Sequence, residues 1–135
     1  MKRVLGIGNA LVDMMTNLDN DDILNMLKFP KGSMQLVDLD MRRKVIDGTS
    51  TFKKQQTSGG SASNTIHGLA NLGVPTSYIG KIGGDELGKF FREDLMNAKV
   101  NPVLFTGNNE TSLAVAMVSL DSERTFATYL GAAIE

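Results

Sequence analysis

One short stretch of this sequence combines residue types that could bind a polyhydroxylated small molecule. Gly59 and Gly60 precede Ser61 and Asn64. Because glycine lacks a Cβ atom, a ligand can lie directly against the backbone at the glycine pair. The serine and asparagine side chains add short groups that donate and accept hydrogen bonds. A tight turn capped by Ser61 or Ser63 is the alternative, and composition alone does not decide between the two.

The residues after the glycine pair predict the helix that would hold this stretch in place. Ile66, Leu69, Ala70 and Leu72 recur at helical spacing, and Gly73 provides a stop signal. The glycine pair would therefore lie at or just before a helix N-terminus. There the free backbone N–H groups and the positive end of the helix dipole face outward.

The composition is that of a single globular domain and narrows the possible functions. The chain has 135 residues, of which 41% are hydrophobic and 21% charged, which argues against disorder. A formal net charge of −1 gives no reason to expect nucleic acid or a membrane as partner. Cysteine is absent and His67 is the single histidine, so a thiolate or multi-histidine metal site is not expected. His67 itself is expected to be a helix-face residue, because nothing in the sequence pairs it with a nucleophile or a ligand set. With neither a signal peptide nor a membrane span, we expect a cytoplasmic protein.

Hydrophobic periodicity predicts an α/β fold with a more polar, sheet-like region between positions 9 and 57. Asp38 or Asp40 would cap the second helix, and Gly48 would end it. Positions 131–135 are expected to be the end of a strand region. The predicted elements are a buried strand at 4–7, a strand at 9–15, a helix at 19–28, a strand at 33–37, a helix to 46, an exposed strand at 52–57, the helix after Gly60, a strand at 76–82, a helix at 84–98, a strand at 103–106 and a hairpin of strands 112–120 and 125–130.

Two glycine-rich motifs come close to nucleotide-binding loops but fail. The glycines after the first strand lack the third glycine of a dinucleotide-binding fingerprint, because Leu11 stands there. The run before the helix at 84–98 nearly matches a phosphate loop, but Phe90 replaces the Ser or Thr that would hold Mg²⁺. We instead expect Asp85 to start that helix and Gly88 to allow close packing.

Three segments, in order, resemble the N-terminal half of the ribokinase/PfkB family of carbohydrate kinases: Gly6–Asp13, Gly59–Asn64 and Gly80–Gly88. The first, with Asn and Asp separated by three residues, is most similar to the adenosine-kinase-like branch. The resemblance implies a ribokinase-like three-layer α/β/α domain, incomplete here, with a small β-sheet lid built roughly from positions 10–57. It also implies ATP and Mg²⁺ as cofactors of the full-length family, at sites outside this chain.

The resemblance also implies which residues contact the substrate. The hydroxyls of a sugar or ribosyl group would be bound by Asn9, Asp13, Gly59, Gly60, Ser61 and Asn64. A charged carboxylate accepting from hydroxyls makes strong hydrogen bonds, which suits Asp13; in isolation Asp13 would be taken for a solvated strand carboxylate. Gln35 resembles a lid residue near the substrate, and Arg124 resembles a basic residue that can approach phosphate.

The second signature of the family, a Gly-Ala-Gly-Asp run, does not occur in this sequence. In the family it supplies the catalytic aspartate and an anion hole for the transferred phosphate, both of which phosphoryl transfer needs. We therefore expect no catalytic residue and no nucleotide site here. The chain would be the substrate-binding half of a sugar or nucleoside kinase, inactive alone. A non-catalytic sugar-binding module, or an assembly fragment that pairs with a separate C-terminal half, remains open. A sheet that stops partway would favour homo-oligomers or that pairing.

Overall fold

The structure, a computed structural model, describes residues 2–135 and divides them into two compact units. The first unit comprises the chain up to Val12, Thr57–Ser112 and Leu130–Glu135, and the second comprises Asp13–Gln56 and Leu113–Tyr129. In chain order the elements are β1 (Val4–Ile7), β2 (Leu11–Asn17), α1 (Asp22–Leu27), β3 (Met34–Leu36), α2 (Leu39–Gly48), β4 (Lys54–Gly59), α3 (Ser61–Asn71), β5 (Thr76–Ile82), α4 (Glu86–Asn97), β6 (Asn101–Thr106), β7 (Ser112–Val118), β8 (Arg124–Tyr129) and a 3₁₀ helix (Gly131–Ile134).

A parallel sheet in the order β1-β5-β6 forms the centre of the first unit. Helix α3 packs on β1 and β5, and α4 packs on β6. The apolar stripes of both helices turn inward, so that Ile66, Phe91 and Leu95 are buried. Tyr78 of β5 is also buried, with its ring centroid 5.7 Å from that of Phe91. Two parallel strands joined by a helix, as in β5-α4-β6, therefore follow the predicted α/β pattern.

Strand β1 is more exposed than its apolar sequence predicts. Val4, Leu5 and Ile7 are 40%, 51% and 69% exposed, so the expectation of a buried strand is wrong. The reason is its position, because β1 is the outermost strand of its sheet and pairs only with β5 within residues 2–135. An apolar sequence shows that a strand can be buried. Whether it is buried depends on which other elements pack against it.

A network around Asp85 fixes the start of α4. As its N-cap, the Asp85 carboxylate accepts hydrogen bonds from Gly88 N (2.9 Å), Thr111 N (2.9 Å) and Thr111 Oγ1 (2.5 Å). A Cβ on Gly88 would lie 2.4 Å from the carbonyl oxygen of Gly83, so the close packing expected of this glycine is confirmed. The run that resembles a phosphate loop is therefore a capped and packed helix start.

The strands of the second unit belong to a five-stranded sheet in the order β3-β8-β7-β2-β4. Strands β7 and β8 form the predicted antiparallel hairpin, whereas β3 pairs with β8 in parallel. Helix α2 packs on β8. The Lys31 ammonium bridges Asp21 (2.9 Å) and Asp121 (2.7 Å), and Asp21 also accepts from Ser119 Oγ. Hydrogen bonds, chiefly from Ser119 and Lys31 respectively, lower the pKa values of Asp21 and Asp121.

Several boundaries differ from the sequence-based expectations. Asp38, not Asp40, caps α2, and the helix runs through Gly48 rather than ending before it. A Cβ on Gly48, the last residue of α2, would lie 2.3 Å from Ile23 Cδ1, so this glycine also allows a close contact with α1. Asn9 precedes β2, which begins at Leu11, and positions 131–134 form a 3₁₀ helix rather than a strand end. None of the helices within residues 2–135 has the length and apolar character needed to cross a bilayer.

Candidate ligand-binding site

Gly60 adopts a backbone conformation that L residues with side chains rarely adopt. Its φ is +89°, and a Cβ added to it would lie 2.7 Å from the carbonyl oxygen of Asn9. Such a separation is well inside van der Waals contact, so no other residue fits without displacing the backbone at Asn9. Of the predicted site residues, the structure therefore brings Asn9 and Gly60 together directly in the first unit.

Helix α3 begins immediately after Gly60 with its N-terminus uncapped by any side chain. Gly60 occupies the N-cap position, and the first backbone bond runs from Asn64 N to Gly60 O at 2.9 Å. The alternative of a turn capped by Ser61 or Ser63 is wrong, because Ser61 is the first helical residue and the buried Ser63 Oγ makes no hydrogen bond. The first-turn N–H groups have no acceptor within the helix, which leaves them available to ligand oxygens.

The side chains around this helix start differ in exposure in a way that suits ligand binding. Asn9, Ser61 and Asn64 are exposed, whereas Gly59 is buried and Gly60 is partly buried. We call Gly59 and Gly60 the glycine floor. The exposed side chains of Asn9, Ser61 and Asn64 carry two amides and one hydroxyl. Such a surface can donate to and accept from several ligand hydroxyls at once.

Close packing beneath the site depends on glycines that sequence reasoning did not single out. A Cβ on Gly6 would lie 2.4 Å from Ile66 Cγ1, and one on Gly8 would lie 2.8 Å from the Cβ of Ala62. Both glycines let α3 lie against the end of β1. Glycine in or next to an apolar strand often indicates that another backbone approaches closely. This sequence pattern could have predicted the packing role of Gly6 and Gly8.

Tyr78 contributes a buried hydroxyl beneath the same region. The residue is fully buried, and its Oη makes no hydrogen bond within the protein. That oxygen lies 3.6 Å from the position of a Cβ on Gly8. Burial raises the pKa of Tyr78 to about 12, so the phenol stays neutral at physiological pH.

The other predicted site residues belong to the second unit. Asp13 is half-buried, and this burial raises the pKa of its carboxyl group. Gln35 donates from Nε2 to Ser33 Oγ at 3.1 Å. Arg124 is the exposed first residue of β8, opposite Val118 in the hairpin. No contact in the structure assigns a ligand role to any of these three residues.

A shallow cavity of about 400 Å³ in the second unit includes Gln35. Its lining mixes the apolar side chains of β3 and the following loop with the acidic and basic side chains of α2. The lining residues are Phe29, Gln35, Leu36, Val37, Asp38, Asp40, Met41 and Lys44.

Within residues 2–135, no three His, Cys, Asp or Glu side chains are grouped to hold a metal ion. The Gly83–Gly88 run contains the Asp85 carboxylate where a phosphate loop would present free N–H groups, and Gly83 N already donates to Thr111 Oγ1.

A parallel sheet flanked by helices, with a glycine-floored helix start, defines an α/β protein suited to binding a small polar ligand. Residues 35–135 match the family model described as pfkB family carbohydrate kinase. The chain therefore belongs to the PfkB family of carbohydrate kinases, and the family resemblance seen in the sequence is confirmed.

Solved structures show the same fold over nearly the whole chain. An adenosine kinase from Sinorhizobium meliloti is 36% identical with a TM-score of 0.79, over 98% of this chain and 40% of its own. A probable sugar kinase from Rhizobium etli CFN 42 is 34% identical with a TM-score of 0.79, over 97% of this chain and 39% of its own. The expected ribokinase-like α/β fold, present only in part, is thereby confirmed.

Curated relatives match a shorter segment. A fructokinase from Klebsiella pneumoniae is 34% identical over 73 residues, which are 53% of this chain and 24% of that protein. The chain thus spans about a quarter of the length of this relative and about two fifths of the solved structures.

Proposed function

We propose that this chain is the acceptor-binding part of an ATP-dependent kinase that phosphorylates a hydroxyl of a sugar or nucleoside. The observation that carries the proposal is the geometry at Gly60: a φ of +89°, the carbonyl of Asn9 against its α-carbon, and an uncapped helix beginning at the next residue. This arrangement presents backbone N–H groups and short polar side chains to a ligand. The family membership supports the same class of ligand.

Hydroxyl groups are the ligand chemistry that these residues recognise best. The exposed amides of Asn9 and Asn64 can each donate and accept, and the first turn of α3 donates. In the proposal, Asp13 accepts from a ligand hydroxyl. The raised pKa of Asp13 supports this role, because burial has removed water that a ligand hydroxyl could replace.

The second unit is proposed as the small β-sheet lid of the family, with Gln35 as a lid residue near the sugar or base. Its sheet, its cavity beside Gln35 and the position of its first segment after Asn9 support this assignment. Arg124 is proposed to approach the transferred phosphate. The relatives include an adenosine kinase and a fructokinase, so the acceptor is proposed as a sugar or a nucleoside without choosing between them.

The chain alone is proposed to bind its acceptor without phosphorylating it. It spans about two fifths of the related solved structures and contains no Gly-Ala-Gly-Asp run. ATP and Mg²⁺ would be held by the remaining part of the full-length enzyme. An ATP-consumption assay with ribose, fructose and adenosine should show no turnover above the blank, and measurable turnover would overturn this part of the proposal.

Calorimetric titration with the same three compounds tests acceptor binding directly. Asp13→Asn should weaken the affinity of the best ligand about tenfold, because a neutral amide accepts hydroxyl hydrogen bonds less strongly than a carboxylate. Asp19→Asn is the matched control, because Asp19 is exposed and its substitution removes the same charge as Asp13→Asn. Equal affinities for both variants, or no binding by the unsubstituted chain, would contradict the proposed site.

The outer edge of β1 is proposed as the surface through which this chain associates, either with a second copy or with a separate C-terminal part of the enzyme. Three apolar side chains are exposed along a strand with one free edge, a combination that favours strand pairing.

A further inference from the structure

Ser58, the residue directly before the glycine pair, joins strand β4 to both helices of the first unit. Its Oγ donates a very short hydrogen bond to Asp94 Oδ2 on α4, and its backbone N–H approaches the same oxygen at 3.4 Å. On its other side, the Oγ lies 3.4 Å from His67 Nε2 on α3. His67 thus lies on α3, as expected, and contacts Ser58 from there.

The Ser58 hydroxyl carries one proton, which it donates to Asp94 Oδ2. Towards His67 Nε2, which lies 3.4 Å away, Ser58 Oγ can therefore only accept a hydrogen bond. Such a bond would require the histidine tautomer that carries its proton on Nε2.

The location of the cluster gives it a consequence for the ligand site. Glycine restricts its own backbone least, so neighbouring residues must impose the conformation of Gly59 and Gly60. After the pair, the helical bond from Asn64 N to Gly60 O provides that restraint. Before the pair, Ser58 is buried, with only 5% of its surface exposed, and the carboxylate of Asp94 holds both its backbone and its side chain.

We propose that Asp94 is a positioning residue for the glycine floor of the ligand site, acting through Ser58 and supported by a donated hydrogen bond from His67 Nε2. Asp94 touches no part of the proposed ligand surface itself. Its role is to keep Gly59 and Gly60 in the one conformation that places Gly60 against Asn9.

Amide hydrogen exchange of the full chain tests the positioning role without any ligand. Asp94→Ala should accelerate exchange of the Asn64 amide, which donates to Gly60 O, at least tenfold, while exchange in Thr76–Ile82 changes less than threefold. Asp94→Asn keeps an oxygen acceptor at the same place and should stay within about threefold of the unsubstituted chain. The matched control is Glu93→Ala, because Glu93 is the exposed neighbour on the same helix.

Unchanged exchange of the Asn64 amide in Asp94→Ala, or an equal acceleration across β5, would overturn the proposal. If Asp94→Ala does not fold, the Asn variant and the next measurement still decide the matter. Because His67 is the single histidine, its ¹⁵N resonances in the unsubstituted chain are unambiguous. They should show a proton on Nε2, and a neutral ring protonated only at Nδ1 would overturn the hydrogen bond from His67 Nε2 to Ser58 Oγ.

One readout rests on the proposed function. If a sugar or nucleoside binds, Asp94→Ala should weaken its affinity about tenfold and Glu93→Ala should leave it unchanged. A ligand that binds with equal affinity to Asp94→Ala overturns the positioning role. No binding by the unsubstituted chain overturns the proposed function alone, because the exchange and tautomer results are independent of a ligand.

Discussion

The backbone conformation of Gly60 affects both the stability of the protein and its proposed ligand site. Replacing it with alanine would force a side chain into φ +89° and place a methyl carbon 2.7 Å from the Asn9 carbonyl. We expect Gly60→Ala to lower the free energy of unfolding by about 2–4 kcal/mol, the sum of the backbone strain and the steric displacement. Urea denaturation measures this loss, and calorimetry should show at least tenfold weaker ligand binding.

Gly73 is the matched control for this prediction. Its φ of +83° is nearly the same, yet a Cβ there would have no atom within 4 Å. Gly73→Ala should therefore lower the free energy of unfolding only through backbone strain, by about 1–2 kcal/mol, and leave ligand affinity unchanged. Equal losses of stability in the two variants would show that the Asn9 contact contributes nothing.

At this scale, the sequence indicated the glycine floor but not what holds it. Paired glycines before a helical stripe are a local pattern, so the position of Gly60 at a helix start could be predicted. The contact of Ser58 with Asp94 joins residues from two elements that are far apart in the chain, and no local pattern carries that information. The contact of His67 with Ser58 also joins a helix to a strand, and it likewise could not be predicted from local sequence.

Among the elements, α4 owes its start to one carboxylate rather than to its apolar stripe. Asp85→Ala removes the acceptor for Gly88 N and for both donors of Thr111. We expect the free energy of unfolding to fall by about 2–3 kcal/mol, which combines the loss of a helix cap with donors left unpaired. Thermal or urea unfolding measures the change.

Glu86→Ala provides the comparison for Asp85. Glu86 is exposed and also lies in the first turn of α4, so its removal tests the effect of charge at the helix N-terminus alone. That effect should stay below about 1 kcal/mol. If the two substitutions destabilise the protein equally, the hydrogen bonds from Thr111 to Asp85 make no net contribution to the free energy of unfolding.

Helices and strands with a clear local sequence pattern were predicted well. Errors arose where packing against other elements determines the structure. The strand at 76–82 matches β5, and the helix around Leu95 matches α4 within two residues at its start. Helix α2 ends at Gly48, close to the predicted stop, but the packing of Ile23 where its side chain would be could not be read from local sequence. Similarly, β1 is apolar yet exposed because it has a partner strand on one side only.

For the molecule as a whole, the exposed edge of β1 predicts concentration-dependent self-association. Leu5→Lys places a charge on this edge, where lysine opposes strand pairing, and should raise the dissociation constant of the self-complex about tenfold. Sedimentation velocity across a range of concentrations measures it. Leu72→Lys is the control, since Leu72 is 80% exposed but lies at the end of α3. A chain that is monomeric throughout, or equal effects of both substitutions, would contradict the prediction.

The parallel pairing of β3 with β8 has a consequence for how the protein is made. Met34 lies beside Phe126, and β8 is the only strand that pairs with β3 within residues 2–135. At a translation rate of about 5–20 residues per second, β3 leaves the ribosome several seconds before its partner. The five-stranded sheet therefore cannot close on the nascent chain until residues 124–129 have emerged, and during that interval the backbone N–H and C=O groups of Met34–Leu36 have no partner strand.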